Sequence, residues 1–291
     1  MAWDSALPVG DFAAIRSVGF EPVGQVFGAA AYYLSTVLGA GCPGTSADAL
    51  LRDGPTVGPA AKVARGLHEG RQTAIDRMTE QCADLGGHGV VGAALRIRET
   101  PQEGLTAGAI EFTVIGTAVR ARDCPPLPRP FASDLSGPDF AKLIMAGWVP
   151  AGIALGIAVT GLHDELVTPS SGPWGTGNAE VPGYTALVAK VRRDARRHLE
   201  QAVGSVGADG VVASAMTLRV WSDACRAHPG GSDYFAEAIM TGTLVARFAL
   251  RAAAPAGLAV IHLGTRVSLP ANAAAKDTRY RRRLLTLPRP C

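Results

Sequence analysis

The feature that most constrains this chain is a repeat inside it. Asp11-Phe12-Ala13 returns as Asp139-Phe140-Ala141, an offset of 128 residues. At the same offset Gly19, Pro22, Gly24 and Gly28 pair with Gly147, Pro150, Gly152 and Gly156. Further on, Gly86, Gly89, Val90 and Val91 are matched by Gly207, Gly210, Val211 and Val212 at an offset of 121, and Gly116-Thr117 by Gly242-Thr243 at 126. The order is kept and the offset drifts only where loops fall, so the chain reads as two copies of one unit.

Each copy opens with a short amphipathic helix. In the second, Ser136 is placed to cap it, with Pro138 and Asp139 in the first turn. Phe140, Leu143 and Ile144 share one face at helical spacing, and Gly19 and Gly147 stand where a left-handed cap ends such a helix. An apolar strand follows, over about residues 22–33 and 150–161. Its glycines, four residues apart, leave one face flat enough for another backbone to approach closely. They form no phosphate loop, since neither GxGxxG nor a following Lys-Ser/Thr is present.

After a long Gly/Pro/Ser-rich loop (39–58 and 163–182) comes the main helix. Its apolar stripe is Leu67, Ala74, Met78, Cys82 and Leu85 in one copy, and Val188, Ala195, Leu199, Val203 and Val206 in the other. Cys82, lying on that stripe, reads as a buried structural thiol. The glycine turn then ends the helix and launches two antiparallel strands, about 89–98 with 109–121, and 210–220 with 235–248. Ile110, Phe112 and Val114 alternate with Glu111 and Thr113, the mark of a strand with one buried face. His88 and Asp209 occupy the same place in the turn, and both suit a structural role there.

The fold class is therefore α+β: two tandem β-α-β-β units, each a long helix on a mainly antiparallel three-stranded sheet, preceded by a short helix. The boundaries fall at 1–124 for the first repeat, 125–134 for a Pro-rich linker, 135–251 for the second repeat, and 252–291 for an extra strand (Leu258 to Leu263) and a basic Pro-rich tail. One helix covers one face of a sheet. The other face needs a cover from the second copy or from another chain, so a homo-oligomer is expected.

Composition narrows the function classes. Leu143 to Leu162 carries no charge over twenty residues, but five of them are Gly or Pro, so it reads as helix, turn and strand, with no membrane span. With 28 Lys and Arg against 25 Asp and Glu, the net charge of +3 is too mild to call for nucleic acid. Arg192, Arg193, Arg196 and Arg197 read as a solvated helix face, and Arg279 to Arg283 as a tail whose partner, if any, is anionic. Five cysteines, an odd number without a CxxC pair, point to free thiols and a cytoplasmic location.

Little catalytic chemistry is legible. The six histidines are scattered and no GxSxG elbow exists, so no catalytic residue is assigned. His163-Asp164-Glu165 offers ligand-type side chains on an irregular loop. The better metal candidates are Asp223, Cys225 and His228 in the second hairpin loop, with Asp233 nearby, a set suited to a divalent heavy metal. The first copy's loop has no Cys or His.

Pro22/Gly24/Gly28, Leu85 to Gly92, and Ile115-Gly116-Thr117-Ala118-Val119 together resemble the YbjQ-like proteins, which carry a heavy-metal-binding label. The second copy matches with Pro150/Gly152/Gly156, Gly207 to Val212, and Gly242-Thr243-Leu244-Val245. The resemblance implies a unit like that of dodecin subunits and a pentameric ring, and it supplies no catalytic mechanism. The chain departs from single-domain members by being a tandem with longer first loops and an added tail. The expectation is a non-enzymatic, homo-oligomer-forming protein, a ring, scaffold or shell-type assembly, with heavy-metal binding or metal response as the alternative and an enzyme third.

Overall fold

A computed structural model of the 291-residue chain describes residues 7–33, 59–100, 109–122, 124–125, 127, 129–163, 180–225, 227–228 and 230–248. The first half contains α1 (Val9–Ser17), β1 (Phe20–Tyr33), α2 (Pro59–Asp84), β2 (Gly89–Thr100) and β3 (Ala109–Ala121). A two-residue strand, β4 (Phe131–Ala132), leads into α3 (Gly137–Met145), β5 (Trp148–His163), α4 (Pro182–Val206), β6 (Gly210–Ala224) and β7 (Ser232–Arg247). The sheets have orders β1-β3-β2-β4 and β5-β7-β6, antiparallel throughout except where β4 joins β2. The architecture is α+β.

The two halves agree in detail. Gly19 (φ 85°) and Gly147 (φ 82°) end the short helices, and Gly86 (φ 67°) and Gly207 (φ 70°) end the long ones. Ser136 caps α3, accepting from the Asp139 N–H, and Phe140 is fully buried beneath it. The apolar run from Leu143 divides as expected, α3 ending at Met145 and β5 beginning at Trp148. No helix among the described residues is long and apolar enough to cross a membrane.

Small residues set the helix-on-sheet distance. A Cβ on Gly28 would strike the Ala74 carbonyl oxygen of α2, and one on Gly156 the Ala195 carbonyl oxygen of α4. Each helix is seated on its strand by the glycine the repeat preserves. Arg77 donates to the Ala29 carbonyl on the outer edge of β1, where Gln81 accepts from the Phe27 N–H. His198 Nδ1 meets the Ile157 carbonyl on β5 in the same way. Each outer edge is therefore met at these points by side chains of its own helix.

The glycine turn is stapled alike in both halves. The His88 N–H donates to Val119 O and its Nδ1 accepts from the Ala121 N–H; the Asp209 N–H donates to Val245 O and its carboxylate accepts from the Arg247 N–H. A histidine and an aspartate thus do one job, holding the end of the last strand.

Several expectations are corrected. The buried stripe of α4 runs through Leu187, Val191, Ala195 and Leu199, with Val188 and Val203 only half-buried, because the first four face β5 and β7. Leu85 and Val206, at the helix ends beyond the sheet, are exposed. Strands β6 and β7 run further, to Ala224 and from Ser232, so the hairpin loop is short. Part of the expected linker forms β4, which is held against the second sheet: Asp134 accepts from Thr243 Oγ1 and Ser214 Oγ, and Ser133 Oγ meets Thr243 Oγ1. Cys82 and Cys225 are free and buried, but Cys124 is disulfide-bonded, against the expectation of free thiols. The loops at 39–58 and 101–108, most of 163–182 and the tail also lie outside the described residues.

The missing cover of one sheet comes from within the chain. Ala158 and Leu162 of β5 pack under α4, whereas Leu155, Ile157 and Val159 on its other face join the core built on α2. Helix α2 serves both sheets.

Candidate metal centre and open sheet edge

Residues 62 positions apart converge at one end of the second sheet. His163 closes β5 and is paired in register with Asp233 near the start of β7. Cys225 follows β6, and a tight turn brings His228 back, with the Cys225 N–H donating to Gly231 O and the Gly231 N–H to His228 O. Gly231 lies against the His163 ring, where a Cβ would come within 2.9 Å of Cε1. His163, Asp233 and Cys225 are buried and His228 is exposed.

The geometry is that of a metal-ligand set. One donor atom each from His163, Cys225 and His228 lies within 4.8 Å of the others. Cys225 Sγ is 3.6 Å from His228 Nδ1, and the two imidazole rings are 4.8 Å apart. Tetrahedral zinc, with bonds of about 2.0 Å to nitrogen and 2.3 Å to sulfur, sets its ligands about 3.5 Å apart, so a small closure would seat it. His163 Nδ1 is 2.6 Å from Asp233 Oδ1. A carboxylate there fixes the proton on Nδ1 and leaves Nε2 as the ligand, the usual outer-shell arrangement of metal-bound histidine. The donor set fits a soft or borderline divalent cation.

Of the residues singled out in the sequence, Cys225 and His228 are brought together and Asp223 is not. Asp223 is exposed on β6, its Cα opposite that of Asp233. His163 joins them instead, while its neighbours Asp164 and Glu165 lie outside the described residues. The signal that could have found His163 was strand pairing: β5 and β7 must end together, which places residue 163 beside 233. Among the described residues this is the one three-donor group, and it lies in the second half alone.

The second distinctive feature is β6. In the first sheet the start of β2 is covered by β4, paired in parallel through Gly89–Phe131 and Val90–Ala132. Beyond it Gly92 and Ala93 donate to the Leu135 and Ser133 carbonyls. Val91 is 0% exposed, packed with Leu135 and Phe140. Among the described residues nothing does this for β6, where Val212 is 40%, Met216 44% and Leu218 41% exposed. A long apolar edge strand of this kind is a template for another chain.

Arg196 pairs with Glu200 on the exposed face of α4, whereas Asp194 is buried and pairs with buried Lys190 and half-buried Arg197. Burial pushes the Cys82 thiol up to about 12, so it is no nucleophile.

Residues 54–122 match the model of the YbjQ family, described as "Putative heavy-metal-binding". The chain is also similar to an encapsulin nanocompartment protein of Mycobacterium tuberculosis, 27% identical over 221 residues that cover 72% of this chain and 76% of that protein.

Proposed function

We propose that this chain is the non-enzymatic subunit of a closed homo-oligomer, a ring of pentameric type that serves as a scaffold or shell. The observation that carries the reading is the apolar edge of β6, uncovered among the described residues, in a fold whose outer edges at β1 and β5 are met by helix side chains. The name of the mycobacterial relative agrees with a compartment-forming role. The second half, which repeats the elements of the matched first half, is read as a second YbjQ-like, dodecin-type unit. Native mass spectrometry of the full chain at micromolar concentration should give a homo-oligomer, and a monomer overturns the reading.

Heavy-metal binding is the second reading, favoured by His163, Cys225 and His228 with Asp233 behind them. The matched family's description agrees in kind, although the cluster lies outside residues 54–122. Protein purified without chelators and titrated with Zn2+ or Cd2+ should bind one ion per chain, and the Cys225→Ser variant should lose it. Uptake well below one ion per chain, or uptake unaffected by that variant, rejects the site.

A further inference from the structure

The first half shows what the start of β6 lacks among the described residues. The cover on β2 is the chain entering the second half: Phe131 and Ala132 as a parallel strand, the Leu135 carbonyl accepting from the Gly92 N–H, and Phe140 packed with Val91. The chain entering the first half carries the same pattern at the offset of 128. Trp3 stands for Phe131, Ser5 for Ser133, Leu7 for Leu135, Asp11 for Asp139, Phe12 for Phe140 and Ile15 for Leu143. The helices that follow, Val9–Ser17 and Gly137–Met145, have identical bounds at that offset.

Val212 and Phe12, the two sides of that contact, are each less buried than their counterparts. Val212 is 40% exposed where its counterpart Val91 is fully buried, and Phe12 is half-buried where its counterpart Phe140 is fully buried. Between α3 and β6 lies a cleft of about 490 Å3, lined by Leu135, Ser136, Asp139, Leu143, Val212 and Ser214 among others. It stands where the first half packs α3 against α1, with the Gly137 N–H donating to Asp11 Oδ2 at 2.9 Å.

We propose that residues 3–17 of a second copy fill this cleft and extend the second sheet, head to tail. The occupant is argued from continuity: the junction between halves, repeated once more, becomes the junction between chains. Trp3 and Asp4 of the second copy lie parallel beside Gly210 and Val211. Its Leu7 carbonyl accepts from the Ala213 N–H, and its Phe12 covers Val212. One departure is built in. Val9 replaces Gly137, which sits against Asp11 with no room for a Cβ, so the two helices are spaced wider at that point. The contact is heterologous, one surface meeting a different one, and so propagates around a ring.

The inference rests on the assembly reading and is separable from it. The full-length variants Trp3→Asp and Val212→Asp each break a different side of the junction. By native mass spectrometry each alone should fall to a monomer. Mixed in equal amounts they should form a 1:1 heterodimer, since one intact surface of each kind remains. As a check independent of disruption, a Leu7→Cys chain mixed with an Ala213→Cys chain should give a disulfide-linked heterodimer on oxidation. If the unaltered chain is a monomer, the assembly reading itself fails. If it is an oligomer that survives both Asp variants, or the mixed variants stay monomeric, this docking is wrong and another segment covers β6.

Discussion

His88 and Asp209 show how a position can be legible in place and opaque in purpose. Their interchange in a preserved glycine frame makes the glycines look like the working parts. In the fold both side chains are acceptors for the N–H that ends the last strand, at Ala121 and Arg247. His88→Ala should therefore cost about 1 kcal/mol by chemical denaturation, the value of a part-buried hydrogen bond. His88→Asp should recover most of it. Arg71 is the opposite case. It is fully buried against Phe112, its Nε and Nη2 have no hydrogen-bond partner, and burial pushes its guanidinium down to about 10 against the opposing pull of Glu237. Its counterpart at the offset of 121 is Arg192, exposed on α4. The second sheet lies over α2, and among the described residues nothing equivalent lies over α4, which is why one arginine is wet and the other dry. Arg71→Met should raise the melting temperature, because a buried cation without full hydrogen bonding costs more than a hydrophobe of similar size.

At the scale of elements, the repeat carried the architecture because helix stripes, glycine stops and strand alternation are local signals. Gly28 and Gly156 were legible as places of close approach, and the approaching body is the long helix in both halves. Gly156→Ala should destabilise by about 1–3 kcal/mol through forced separation of α4 from β5, read as a lower denaturation midpoint at unchanged m-value. What stayed hidden depended on pairings distant in sequence. The segment at 131–132 is too short to announce itself as a strand, and only the exposed start of β2 gives it a partner. His163 could be grouped with Cys225 and His228 only once β5 and β7 were known to end together. The first copy's hairpin loop carries no Cys or His, so the repeat could not point to it.

For the whole molecule, a cation held between β5 and the β6–β7 turn would tie three strands at one end. Zn2+ should then raise the melting temperature with ligand concentration, as any ligand of the native state does. Asp233→Asn should weaken that rise while keeping a direct Cys225 variant's loss of binding distinct, since the carboxylate only orients His163. The pH record has one more signature. Cys82 titrates at about 12 when buried and near 9.0 when unfolded, so its contribution to stability is complete below pH 9 and is lost as pH rises toward 12.

Helix α2 is bound on two sides, to its own sheet and to β5, whereas α4 is bound on one. Two halves with the same order of elements could stand in for one another, and this arrangement removes that freedom. Substitutions at Ile75 and Arg71 meet a packed neighbour, while those at Arg196 and Arg192 meet water. The two halves should accordingly tolerate mutation unequally, the first helix on both flanks and the second on one, and neither half can drift or be exchanged without the other registering the change.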